Sequence, residues 1–112
     1  MNRSGNVYVK NVFCGVVCET DAGYSFEYNK DYLQNNQAQA VSLTLPLTDK
    51  PFQSKTLFAF FDGLIPEGWL LTIAAESWRI NKNDRMGLLL ACCKNTIGAV
   101  SVHPLIDEQD DD

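Results

Sequence analysis

Apolar and polar positions alternate along the first quarter of the chain. Val7-Tyr-Val-Lys alternates weakly and predicts a strand. Asn11 is a turn former, and Val12-Phe-Cys-Gly-Val-Val-Cys18 follows as a second strand. Asp21-Ala-Gly23 marks the next turn. Tyr24-Ser-Phe-Glu-Tyr28 alternates strictly, which puts Tyr24, Phe26 and Tyr28 on one face. The pattern is that of a three-strand antiparallel meander. Asn29 to Gln37 is polar and amide-rich, either one short helical turn or a loop. Ala40-Val-Ser-Leu-Thr-Leu45 alternates again and predicts a fourth strand closed by Pro46. Thr48 to Gln53 reads as a loop, in which Pro51 keeps Lys50 extended.

From Ser54 the period becomes helical. Ser54 is placed to cap a short helix through Leu57, Phe58, Phe60 and Phe61, and Gly63 ends it. Pro66 suits the first position of a second helix, where its missing N–H costs nothing, and Glu67 complements the helix dipole. That helix is expected to run to about Ile80. Asn83 or Asp84 caps a third, from Arg85 to about Cys92. Lys94-Asn95 is a turn, Ile97 to Val102 a last strand, and Pro104 closes it. The expected fold is α+β: a small, mostly antiparallel sheet, made of the N-terminal meander and a late strand, packed with about three helices. One domain over 1–106 and an acidic, disordered tail over 107–112 account for the chain, with no linker or internal repeat.

On a wheel of about 100° per residue, Leu70, Leu71, Ile73, Ala74, Ser77 and Trp78 fall on one broad face, the expected core stripe. Thr72, Glu76 and Arg79 fall opposite. Trp69 lies off the stripe, sharing its side with Thr72, Glu76 and, at the margin, Ile73. Two roles suit it. It can lie under the preceding loop against Phe61 or Ile65, or it can be an exposed anchor of the kind that dominates binding energy in a partner's pocket. Phe58, Leu64 and Trp78 are assigned to the fold.

Charge and candidate chemistry narrow the function. The net charge is -5, which argues against a basic nucleic-acid face, although much of it lies in Asp107-Glu-Gln-Asp-Asp-Asp112. No apolar run approaches the ~18 residues of a membrane span and no signal peptide opens the chain, so the expected location is the cytoplasm. Cys14 and Cys18, four apart in a strand, should share a face, whereas Cys92 and Cys93 are adjacent and should diverge. With His103 as the single histidine, this is not the paired pattern of a structural zinc site, and the expectation is small buried thiols with no metal and no cofactor. No Gly-x-Ser-x-Gly, His-Glu-x-x-His or phosphate-loop pattern occurs. Asp62 and Glu67 sit five apart across a turn, where loop polarity and first-turn helix charge explain them better than a carboxylate pair. An enzyme built on Cys14, Cys92 or His103 lacks a constellation, so the chain is not expected to catalyse a reaction.

The stretch Phe58-Ala-Phe-Phe-Asp-Gly-Leu-Ile-Pro-Glu-Gly-Trp69 resembles the Phe-x-x-Leu-Leu-Pro-Glu-Gly segment of the N-terminal subdomain of HipA-type kinases. Three further stretches match that family in order. They are Val7-Tyr-Val with Gly15-Val-Val, Ala40-Val-Ser-Leu-Thr-Leu-Pro-Leu47, and Asp84-Arg-Met-Gly-Leu-Leu-Leu-Ala91 followed by Asn95-Thr-Ile-Gly-Ala-Val-Ser-Val102. The resemblance spans residues 7 to 105. The kinase segments of the HipA-type Ser/Thr kinases follow this subdomain, and their catalytic residues have no counterpart here. What remains is similar to the HipS-like antitoxins of three-part HipBST toxin–antitoxin systems. That resemblance implies binding and inhibition of a separate HipT-like Ser/Thr kinase toxin, in a ternary complex with a HipB-like helix-turn-helix protein, without direct contact to nucleic acid or membrane. It makes Trp69 the anchor, with Asp62, Pro66, Glu67, Gly68 and Glu76 around it. The alternative it leaves is a non-inhibitory scaffold linking the kinase to the repressor.

Overall fold

The computed structural model describes residues 3–65, 68–81, 83–93 and 100–104, and for residues 68–71 and 74 it describes the backbone alone. β1 (Ser4–Val9), β2 (Val12–Thr20) and β3 (Gly23–Tyr28) form the expected antiparallel meander. Lys10 and Asn11 make the first hairpin turn, both with positive φ (51° and 69°), as a two-residue turn matched to strand twist requires. α1 (Lys30–Leu33) is a single turn capped by the Asn29 side chain, which accepts from the N–H groups of Asp31 and Tyr32. Then come β4 (Phe52–Ser54), α2 (Ala59–Asp62), α3 (Gly68–Trp78), α4 (Arg85–Cys92) and β5 (Val100–Pro104). The sheet order is β4-β3-β2-β1-β5, antiparallel throughout. The fold is α+β.

The alternation decides which sheet face is covered. Val7, Val17, Phe26 and Val102 are fully buried under the helices, as are Phe61 from α2 and Met86, Leu88 and Leu89 from α4. The opposite face is half-buried; there Tyr8 meets Phe13 and His103 edge-on, with ring centres 5.8 and 5.0 Å apart. Phe26 and Tyr28 point inward as expected, and Tyr24 packs at the edge of the same cluster.

Four expectations are corrected. The stretch from Ala40 to Leu45 is not a strand. Val41 and Leu45 are buried but Leu43 between them is wholly exposed, so the alternation does not mark one face. The backbone turns back on itself, with the Leu45 N–H donating to the Ser42 carbonyl at 3.0 Å. The Tyr28 hydroxyl replaces a neighbouring strand: it accepts from the Val41 N–H and donates to the Leu45 carbonyl. Secondly, the supposed loop before Ser54 contains β4, so Ser54 pairs with Tyr24 and caps no helix. Instead, α2 starts after Phe58 with no side-chain cap. Gly23 allows that pairing, because it holds φ at 141° and a Cβ there would lie 2.2 Å from the Ser54 carbonyl oxygen.

Thirdly, Cys14 and Cys18 do not share a face. The β1–β2 register passes from Val7↔Gly15 to Tyr8↔Phe13, so Cys14 is the extra residue of a β-bulge and inverts the parity. Cys14 is fully buried, whereas Cys18 is half-exposed and its sulfur accepts from the Ser4 hydroxyl at 3.3 Å. Fourthly, Trp78, Ile73 and Ser77 do not belong to the core. Trp78 is 56% exposed and Ile73 50%, while Ala75 is buried. Among the described residues α3 packs chiefly on α4, so one helix side is covered and the broad apolar stripe exceeds it. The helix then stops: Arg79 takes the left-handed conformation (φ 55°), and the Ile80 N–H closes back on the Ala75 carbonyl at 2.8 Å.

α4 starts as expected at Asp84, whose carboxylate accepts from the Gly87 N–H at 3.1 Å. The same carboxylate takes two bonds from the Arg3 guanidinium (3.0 and 2.8 Å), which also holds Glu19 through Nε and Nη2 at 2.8 and 2.9 Å. One arginine thus ties the start of β1 to β2 and to the cap of α4. The last strand, expected from Ile97, is observed from Val100; residues 94–99 and the acidic tail lie outside the described residues.

Candidate partner-binding surface

The junction between α2 and α3 is held from below. Phe61 is fully buried and meets Phe26, Phe58 and Phe60 at 5.4, 6.3 and 5.2 Å between ring centres. Gly63 closes α2 as expected, its N–H donating to the Ala59 carbonyl at 2.9 Å. Leu64 is half-buried and its carbonyl accepts from the Cys93 thiol at 3.5 Å, while Ile65 is buried. The turn is therefore fastened to α4 and to the sheet.

Asp62, a candidate from the sequence, is committed partly to this fastening: the Arg85 Nε donates to its carboxylate at 2.6 Å, linking α2 to α4. That leaves it 44% exposed at the rim, and no carboxylate pair with Glu67 is needed to explain it. Pro66 and Glu67 lie outside the described residues. Gly68 and Trp69 form the first turn of α3, and their surroundings lie outside the described residues too. Glu76 is exposed. Helical spacing of three and four residues lines position 69 up with Ile73 and Glu76, and both of those meet solvent.

The structure adds two residues to the surface that the sequence assigned elsewhere, Ile73 and Trp78. Trp78 lies roughly 140° round the axis from Ile73 at about 100° per residue, so two flanks of one helix present large apolar side chains to water. The available signal was the helix's excess of apolar residues over what one neighbour can cover.

The residues considered for catalysis are kept apart. Cys14 is sealed in the core and His103 lies on the opposite sheet face beside Tyr8. Burial pushes the Cys14 and Cys93 thiols up to about 12, so neither is a ready thiolate. Among the described residues no group of three His, Cys, Asp or Glu side chains is placed to hold a metal, and no helix is long and apolar enough to cross a membrane.

The family described as HipA N-terminal domain matches residues 5–103. A protein of Haemophilus influenzae described as uncharacterized is 40% identical over 100 residues, 89% of this chain and 91% of its own length. A solved structure of the N-terminal domain of HipA toxin superposes with a TM-score of 0.71 at 30% identity, covering 95% of each chain. The chain belongs to the HipA N-terminal domain family.

Proposed function

We propose that this chain is an antitoxin of a HipA-type toxin–antitoxin system: it binds a separate HipT-like Ser/Thr kinase toxin and inhibits it. Family membership supports the setting. The Haemophilus influenzae relative, matched over 91% of its length, supports a role for the domain outside a fused kinase. The observation that carries the reading is α3. The turn before it is fastened to the core through Phe61, Ile65 and the Asp62–Arg85 pair, yet the helix leaves Ile73 and Trp78 in water. A rigid support under exposed apolar side chains lowers the ordering cost of docking.

In this reading Trp69, in the first turn of α3, is the anchor that enters the kinase cleft. Pro66, Glu67 and Gly68 belong to the same partner-binding surface. Glu76 and the free rim of Asp62 bring negative charge toward a cleft built for phosphate, which steers encounter more than it adds affinity. A HipB-like helix-turn-helix protein completes the complex, and the chain itself contacts neither nucleic acid nor membrane.

The test is to add the purified chain to a purified HipT-like kinase and follow autophosphorylation. Stoichiometric loss of activity is expected. A stable complex with full kinase activity would instead make the chain a scaffold, and the absence of any complex would refute both roles.

A further inference from the structure

α4 grips the α2–α3 junction at both of its ends. Just past its last residue, the Cys93 thiol donates to the Leu64 carbonyl at 3.5 Å. At its first residue, the Arg85 Nε donates to the Asp62 carboxylate at 2.6 Å. Asp62 then leads the chain toward α3. Its carbonyl accepts from the Ile65 N–H at 3.2 Å, beside the bond from the Leu64 N–H to the Phe61 carbonyl at 3.0 Å. One residue thus receives the grip through its side chain and passes it on through its backbone.

Stability does not account for this pair. The Arg85 and Asp62 side chains are 30% and 44% exposed, and an ion pair that open to solvent contributes little net stability. Nor is either charge where its own helix favours it. Arg85 opens α4, at the end that disfavours a cation, and Asp62 closes α2, at the end that disfavours an anion. A pair placed for helix stability would have the opposite polarity. The base that carries Arg85 is nonetheless rigid. Asp84 on one side takes two bonds from Arg3 at 3.0 and 2.8 Å, and Met86 on the other is fully buried. A short charge-assisted bond on a fixed base constrains geometry more than it stabilises the fold.

We propose that Arg85 is a positioning residue for the partner-binding surface: acting through Asp62, it sets how the junction presents the first turn of α3 to the kinase. The assignment rests on the antitoxin reading above. A surface already aligned in the free protein lengthens the life of the complex, so Arg85 acts on the dissociation rate. Charge on the rim of Asp62 acts on the association rate instead.

The test follows binding and release of a purified HipT-like kinase by wild type, Arg85→Met, Arg85→Lys, Asp62→Ala and the double variant Asp62→Ala/Arg85→Met, with urea unfolding run on each. Arg85→Met loses the bond and relieves the opposed helix end. It is expected to release the kinase at least about fivefold faster while unfolding at or near the wild-type midpoint. Arg85→Lys keeps a cationic donor and is expected to recover most of the loss. On the Asp62→Ala background, Arg85→Met is expected to change release by less than about twofold, because the partner it acts through is gone. If Arg85→Met releases the kinase within about twofold of wild type, or speeds release equally with and without Asp62, the positioning role is refuted and the antitoxin reading survives. Faster release that is matched by a fall in the unfolding midpoint makes the pair a fold contact and refutes the role as well. If wild type does not bind the kinase, both readings fall together.

Discussion

The covered face of the sheet and the helix α3 are built from the same kinds of residue and treat them in opposite ways. Val7, Val17, Phe26 and Val102 are fully buried, while Ile73 and Trp78 stand half in water. Strand positions have two faces, and here the helices and the Val41–Leu45 turn bury the centre of one of them. Among the described residues α3 has one main neighbour, α4, and apolar side chains on more than one side. The sheet spends its hydrophobic surface on folding, and α3 holds part of its own in reserve. Truncations separate the two kinds of residue, because burial governs stability and exposure does not.

The largest expected effect falls beneath the junction. Phe61→Ala removes a fully buried ring that meets Phe26, Phe58 and Phe60, and should cost about 3–5 kcal/mol in urea unfolding. A loss below ~1 kcal/mol would mean that the junction is not anchored in the core.

An intermediate effect is expected at the clamp that joins the meander to α4. Asp84→Ala removes the N-cap and one of the two partners of Arg3, and should cost about 1–2 kcal/mol, most of it from the cap because the ion pair is partly exposed and screened. Asp84→Asn keeps a capping side chain and drops the charge, so it should cost less. The same variant checks the pH dependence. Arg3 holds the Asp84 and Glu19 carboxyls below the usual carboxylate range, mainly through its hydrogen bonds to them. A carboxyl lowered in the folded state stabilises fully above its unfolded value, near pH 4, and that contribution is lost as pH falls through the lowered folded value. Asp84→Asn should therefore lose stability less steeply on acidification than wild type does.

The smallest effects should come from α3 itself. Ile73→Ser and Trp78→Ser, at 50% and 56% exposure, should each move the unfolding free energy by less than ~1 kcal/mol. A loss at Trp78 as large as that of Phe61→Ala would erase the contrast and return Trp78 to the core.

Where the chain's own pattern settled the outcome, it was legible. The meander announced itself by strict alternation at Tyr24–Phe26–Tyr28 and by Asn11 and Gly23 at the turns. Gly63 and Asp84 marked a helix end and a helix start through local backbone needs. What escaped the sequence depended on distant partners. β4 has three residues and is recognised through its pairing with β3. The stretch from Ala40 to Leu45 alternates like a strand, but the Tyr28 hydroxyl claims its backbone groups and turns it. The bulge at Cys14 follows from the register with β1. Trp78 sits on the apolar side of the wheel, and its exposure depends on how little of α3 its neighbours cover. At the candidate surface, the sequence placed Asp62 at the rim of the junction but not its pairing with Arg85.

The most direct test of the account compares Trp69→Ala with wild type in a titration of kinase autophosphorylation, alongside urea unfolding of both. The account predicts that Trp69→Ala unfolds within about 1 kcal/mol of wild type and loses most of its inhibition. A Trp69→Ala protein that silences the kinase as well as wild type does would contradict it.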